Sequence, residues 1–316
     1  MKNSFVIGID GGGTRTRGAV ADITGTILSE KEAESSNVHV VGYQEAAKRV
    51  WALVRNLTDD NYMKQSAVRV VVAGLAGVGR PNDRKLYLEA LRGAVGRARF
   101  SLRRVHLYTD AEIALAGAFG GSPGIVVIAG TGSIVMGKDE AGVFRRVGGW
   151  GRDIGDEGSG YQIGRRALAA VAKSYDGRSN PTALTDLVLK KLKLADVPDL
   201  VEKVSRNALD MSTLAPLVLE AAKDGDKVAE EILKQAADEL VLHVRALLSG
   251  IQVRRKVDVV FSGGLIDHAN IYSEFLERKL ISACPQVSVR PPLSSPLKGA
   301  IHLALSLLEE KRLSSP

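Results

Sequence analysis

A single cysteine, Cys284, stands in a chain of 316 residues. It permits neither an internal disulfide framework nor an all-cysteine metal site. Aromatic residues make up only 5% of the chain, too few for a platform on which unpaired bases could stack. No apolar run is long enough to cross a bilayer. The first residues lack a basic stretch followed by an apolar core and a cleavage site, so a cytoplasmic location is expected. The five histidines (His39, His106, His243, His268 and His302) are scattered without ligand spacing. Each is read as a surface or half-buried residue. Asparagine and glutamine are scarce as well, a composition that fits a heat-adapted source.

A net charge of +7 raises the question of nucleic acid. The longest basic run is only Arg254-Arg255-Lys256, and Lys and Arg are otherwise dispersed among Glu. That pattern makes a solvated surface whose modest positive field would attract a polyanion such as ATP. The length allows two domains with cores of their own.

What the chain has in excess is glycine, gathered into turns. The first is Gly8-Ile9-Asp10-Gly11-Gly12-Gly13-Thr14-Arg15-Thr16, entered from Phe5-Val6-Ile7 and left through Arg17-Gly18-Ala19-Val20-Ala21. Both flanks read as strands, which puts the glycines in a hairpin turn. Three successive residues without Cβ let a bulky anion approach the backbone N–H groups, and Thr14 and Thr16 add hydroxyl donors. Asp10, ending a buried strand, suits a hydrated Mg²⁺ held through water. The plainer reading is a glycine-rich hairpin without a ligand.

The pattern returns in the second half. Ile125-Val126-Val127-Ile128 leads into Ala129-Gly130-Thr131-Gly132-Ser133, and Ile134-Val135-Met136 leads away. Two strand–turn–strand units, one opening each half, point to an internal duplication. The break at Gly120-Gly121-Ser122-Pro123-Gly124 separates them, with domains expected over 1–118 and 119–295 and a last helix, 296–316, returning to the first. The spacing from Gly132 to Gly137-Lys138 imitates a P-loop. Asp139 follows where Ser or Thr is needed, however, and the intervening Ser-Ile-Val-Met reads as a strand.

Between these turns, helical spacing is expected over 43–57 and 82–97, with strands at 68–73 and 105–108. Thr109-Asp110-Ala111-Glu112 opens a helix. A third glycine-dense stretch, Gly148 to Gly160, precedes a helix over 160–174, and 184–222 is helical with breaks. A long amphipathic helix runs over 226–249. Ser262-Gly263-Gly264 follows a strand at 257–261, a helix starts near Asn270 and a short strand lies near 287–290. This order implies α/β architecture with mixed sheets flanked by helices.

Gly8 to Thr14, together with Gly149-Trp150-Gly151 continuing to Gly155-Asp156-Glu157-Gly158-Ser159, resembles the N-acetylglucosamine kinase branch of the BadF/BadG-type ATPases. These belong to the superfamily of acetate and sugar kinases, heat-shock chaperones and actin. The resemblance runs over nearly the whole length. It implies two actin-like (ribonuclease H-like) domains with a cleft between them, closing on ATP, Mg²⁺ and a sugar. It implies phosphate-binding roles for Asp10, Gly11, Gly12, Gly13, Thr14 and Thr16 and for Gly130, Thr131, Gly132 and Ser133. Ser262, Gly263 and Gly264 resemble the adenosine-binding turn. Asp110 matches the catalytic carboxylate, Asn37 and Asp156 match sugar-binding positions, and Trp150 lies beside them. Gly299-Ala300 is similar to a connecting motif in the last helix.

The expected activity is transfer of phosphate from ATP to a hexose or hexosamine (N-acetylglucosamine, glucosamine, glucose or mannose) at the 6-hydroxyl. The expected partners are a small-molecule sugar and a nucleotide, with no nucleic acid and no membrane, and a homodimer is compatible with the chain. Several of these residues also have duller uses. Asp110 and Asp156 could cap helices, Asn37 could close a turn, Trp150 could be core and Thr131 could back-bond its own turn. Competing functions are an activator ATPase of the benzoyl-CoA reductase and 2-hydroxyacyl-CoA dehydratase class, for which one cysteine is too few, and a non-catalytic sugar sensor.

Overall fold

The computed structural model describes residues 4–59, 64, 67–96, 100–205, 209–251 and 256–313, without the side chains at 103 and 311–313. Arg254 and Arg255 of the basic run, and the ends of the helices expected to reach 97 and 316, lie outside the described residues. The chain divides into two compact units, Met1–Ser122 with Pro292–Pro316, and Pro123–Pro291.

The first unit opens with three antiparallel strands, β1 (Phe5–Gly11), β2 (Arg15–Asp22) and β3 (Ile27–Glu34). Helix α1 (Val38–Asp59), β4 (Val68–Leu75), α2 (Pro81–Val95), β5 (Val105–Tyr108) and α3 (Asp110–Phe119) follow. The sheet order is β3-β2-β1-β4-β5, with β1, β4 and β5 parallel. The second unit contains β6 (Gly124–Ala129), β7 (Ser133–Lys138), β8 (Phe144–Gly148), α4 (Gly160–Tyr175), α5 (Leu184–Leu192) and α6 (Asp199–Ser205). It continues through α7 (Ala215–Lys223), α8 (Lys227–Leu248), β9 (Val257–Ser262), α9 (Ile271–Ala283) and β10 (Val287–Val289). Its sheet, read from the other edge, is β8-β7-β6-β9-β10, the same connectivity as the first. Helix α10 (Pro296–Leu313) then returns to the first unit.

Strand β1 is apolar because both of its faces are covered. Ile7 and Ile9 join the core built with Val50, Trp51 and Tyr87 of α1 and α2. Val6 faces the opposite way, into the core with Ile113, Leu297 and Ile301 of α3 and α10. Gly8 lies on that second face, where a Cβ would stand 2.9 Å from the Ile301 backbone nitrogen.

The sequence pattern missed two features. The α1 segment begins at Val38 rather than 43, but Gly42, at φ +76° and ψ 161°, interrupts it, so a short turn precedes the regular helix. Strand β8 carries Phe144-Arg145-Arg146, exposed residues that do not alternate, and so gave no strand signal. The unit boundaries fall at 122/123 and 291/292 rather than 118/119 and 295/296. Residues 293 and 294 are bound to α3, since their N–H groups donate to Ala118 O and Gly117 O.

The crossing of α3 and α10 is very close. A Cβ on Gly299 would run into Ile113 O and the Gly117 backbone, and one on Gly117 would run into Ser295 O. Gly299→Ala is therefore expected to destabilise the chain by about 1–3 kcal/mol. Gly93→Ala, in α2 with nothing within 4 Å of its Cβ position, should be neutral or gain up to about 1 kcal/mol. Denaturant midpoints of the two variants check both expectations.

Candidate functional site

Parallel pairing brings Asp10 opposite Gly74 and Gly74 opposite Tyr108. Strands β1, β4 and β5 therefore end together at one sheet edge, the carboxyl edge at which open α/β sheets hold ligands. The turn there is short: β1 closes at Gly11 and β2 opens at Arg15, leaving Gly12, Gly13 and Thr14 between them. The Gly12 N–H donates to Arg15 O at 3.0 Å. The Gly13 and Thr14 N–H groups enter no backbone bond among the described residues, and both residues are exposed. These two amides and the Thr14 hydroxyl are the donors an anion can reach.

Two expected phosphate contacts change role. Gly11 lies in the ladder opposite Thr16 and is needed because Leu75 and the Ser36 hydroxyl fill its Cβ position. Thr16 is fully buried. Its hydroxyl lies 2.9 Å from Glu34 O, to which it donates, and 2.8 Å from Ser36 Oγ. It ties β2 to the end of β3 and has no free direction in which to meet a phosphate. Position in the sequence suggested a turn residue, but the strand register turned it inward.

Asp110 occupies the first position of α3, yet it does not cap the helix. Thr109 does so, accepting from the Glu112 N–H at 3.1 Å, while Glu112 Oε2 accepts from the Thr109 N–H at 2.6 Å, a complete capping box. The Asp110 carboxylate accepts the Ala111 N–H at 2.9 Å. Burial pushes its pKa up to about 6; the Ala111 N–H opposes this, and the charges of Asp10 and Glu112 add to it. Asp10 is also raised by burial, against the pull of Arg17 and Arg15. Asp10, a desolvated carboxylate at the end of β1, fits a hydrated Mg²⁺, which needs only one or two carboxylates. Among the described residues no cluster of three or more His, Cys, Asp or Glu forms a full metal cage.

Asn37 does close a turn, its Oδ1 accepting the His39 N–H at 2.9 Å. Its amide nitrogen makes no hydrogen bond among the described residues and remains able to donate.

The second unit repeats the arrangement. Gly130, Thr131 and Gly132 link β6 to β7, closed by the Gly130 N–H on Gly132 O at 2.9 Å. The first two amides of α4 hold the turn, Gly160 N–H on Gly130 O and Tyr161 N–H on Thr131 O. The exposed Thr131 side chain does not bond back to its own turn among the described residues. Ser133 is buried and donates its hydroxyl to Glu157 O at 2.7 Å, so it supports the neighbouring loop. Ser262, paired with Ile128, ends β9 alongside β6. Gly263 follows at φ +93°, where a Cβ would stand 2.5 Å from Ala129 O. Gly264 is exposed, with nothing within 4 Å of its Cβ position.

Asp156 sits behind the Gly130–Gly132 turn, its Oδ2 3.0 Å from the Cβ position of Gly132. It is buried, holds φ +57° and is not a helix cap; Ser159 caps α4. Burial raises its pKa, against the Gly151 and Ser133 N–H groups, while Glu157 raises it further and His243 lowers it. Trp150 is no core residue. It is 55% exposed and carries the Arg146 guanidinium 4.9 Å above its ring. Asp10, Asp110 and Asn37 thus share the first unit, and Trp150, Asp156 and the second turn share the other.

Local sequence patterning does not reveal the residues that brace the Gly148–Gly158 loop. Gln162 donates to Gly155 O at 3.1 Å and the buried Tyr272 hydroxyl donates to Gly158 O at 2.7 Å. His243, read as a scattered histidine, stands 3.6 Å from Glu157. Their spacing from the loop, up to 114 residues for Tyr272 and Gly158, left no local pattern to find.

Asp110 sets a stability test. Its carboxyl ionises near 6 when folded and near 3.8 when free. The folded state therefore resists ionisation, and a penalty of at most about 3 kcal/mol is present above pH 6. It fades between pH 6 and 3.8 and is absent below. Asp110→Asn, which keeps an acceptor for the Ala111 N–H, should gain about 1–3 kcal/mol at pH 7.5 and nothing at pH 3.5. Denaturation at the two pH values measures the difference.

Residues 7–305 match the model of the BadF/BadG/BcrA/BcrD ATPase family. An N-acetylmuramic acid/N-acetylglucosamine kinase of Clostridium acetobutylicum is 34% identical over 96% of this chain and 98% of its own. An N-acetyl-D-glucosamine kinase of Dictyostelium discoideum is 32% identical over 97% of this chain and 99% of its own. A solved structure from Chromobacterium violaceum, described as an N-acetylglucosamine kinase, superposes with a TM-score of 0.78 at 29% identity, covering 96% of this chain and 100% of that one. The paired five-stranded sheets are those of the actin-like sugar-kinase fold. The chain belongs to the BadF/BadG/BcrA/BcrD ATPase family.

Proposed function

We propose that the chain is an ATP-dependent kinase of a hexosamine or hexose, transferring the γ-phosphoryl group to the sugar 6-hydroxyl. The observation that carries this reading is the Asp110 carboxylate. It stands at a helix start that already has its cap, is pushed up to about 6 by burial, and lies near a second carboxylate at the carboxyl edge of the sheet. A pKa near the working pH is what a general base needs. As the bond from the γ-phosphorus to ADP breaks and the bond to the sugar oxygen forms, the hydroxyl proton passes to Asp110. The remaining work is to hold charge and alignment. The amides of Gly13 and Thr14, and those around Thr131, suit phosphate oxygens. The turn Ser262-Gly263-Gly264 suits the nucleoside. Asp10 would hold Mg²⁺ through water, and the ion would supply charge neutralisation at the phosphates. Asn37, Asp156 and Trp150 would receive the sugar. The two relatives, both named as N-acetylglucosamine kinases, favour an N-acetylated amino sugar.

The activator-type ATPase is the second reading. Its cluster cysteines must be reachable by a partner subunit. Cys284 is buried at 1% exposure, which disfavours it.

A coupled ADP-release assay over glucose, mannose, glucosamine and N-acetylglucosamine tests the proposal. Sugar-dependent release is expected, greatest with the acetylated sugar. Equal release with and without sugar would favour the activator class. Asp110→Asn should lower kcat by about 10²–10⁴-fold with sugar binding retained. In the parent, kcat should rise with pH through about 6, because the base must be ionised. Unchanged turnover in the variant would remove Asp110 from the mechanism.

A further inference from the structure

The loop from Gly148 to Gly158 is unusual in its backbone. Gly148, Gly149, Gly151 and Gly158 have φ of +73°, +67°, +94° and +81°, and Asp156 has +57°. Gly148 still pairs with Ile134 in the sheet and the Ile154 and Gly155 N–H groups close a turn on Gly151 O, but a non-glycine residue at positive φ is strained. Further bonds hold the loop from outside. Gln162, Tyr272 and Ser133 do this by donating to main-chain oxygens.

His243 of α8 acts differently. The Cδ2–Nε2 edge of its ring packs against Gly148, where a Cβ would stand 2.6 Å from Cδ2. Its Nδ1 is 2.6 Å from Glu239 O. A carbonyl can only accept, so Nδ1 carries a hydrogen. Nε2 then faces Glu157 Oε2 at 3.6 Å, a contact that attracts only when Nε2 carries a hydrogen as well. The His243 side chain is 12% exposed and that of Glu157 is 38%, so solvent screens this contact less than a surface pair. The other carboxylate at this place is Asp156, next to Glu157 in the chain. Left without the imidazole, Glu157 repels Asp156.

We propose that His243 and Glu157 form a strut that holds the loop in its sugar-receiving shape, which makes His243 a positioning residue for Asp156 and Trp150. The inference rests on the kinase reading for its link to sugar. The strut itself rests only on the geometry of the second unit.

The chain has two tryptophans, so Trp51→Phe leaves Trp150 as a single fluorescent reporter on the loop. In that background, His243→Leu keeps side-chain bulk and removes both ring nitrogens, while His243→Gln restores a donor toward Glu157. His243→Leu is expected to shift Trp150 emission and to raise the N-acetylglucosamine KM about tenfold or more, with kcat and the ATP KM within about twofold. His243→Gln should recover most of both changes. Unchanged emission and sugar KM in His243→Leu would overturn the strut, and so would an equal rise in both KM values, the mark of general damage. If the parent phosphorylates no sugar, the kinase reading fails and emission alone decides the strut: a shift restored by Gln supports it, and no shift overturns it.

Discussion

Two carboxylates forced together out of water are the constraint from which the first unit is best understood. Asp10 ends β1 and Asp110 follows β5, and the parallel register through β4 carries both to the same sheet edge. Each is held above the ordinary carboxylate range by burial, and the charge of Asp10 pushes Asp110 further. A fold that needed only stability would not keep them, since buried like charges oppose folding. Their persistence makes sense if cation chemistry or proton transfer occurs there, and perturbed groups gather at such places.

Glycine solves two different problems in this chain. At Gly13 it leaves the backbone bare on an exposed turn. At Gly299, Gly117 and Gly8 it lets α10 settle against α3 and β1 at distances no side chain would permit. The density of glycine alone does not separate these uses. Gly11 illustrates the point: its neighbours in the turn are open to solvent, while its own Cβ position is filled by Leu75 and Ser36.

The repeated connectivity of the two sheets places a three-residue turn after the first strand of each unit, and the surroundings of the two turns then diverge. The first lies at the sheet edge it shares with the Asp110 helix start. The second is clasped by α4 and backed by the long Gly148–Gly158 loop.

Much of the architecture was legible in the sequence because it is locally encoded. Apolar runs of strand length and the amphipathic stretch of α8 each declare themselves within a few residues. The glycine turns, Asp10 and Asp110 could be named for the same reason. Tertiary structure alone decided which polar groups were free. It turned the Thr16 hydroxyl inward to Glu34 and Ser36, relieved Asp110 of capping by giving that task to Thr109, and set His243 against Glu157 across 86 residues. The physical reason is that side-chain type is written along the chain. Burial, register and partner choice depend on elements that meet only when the sheets and helices have packed.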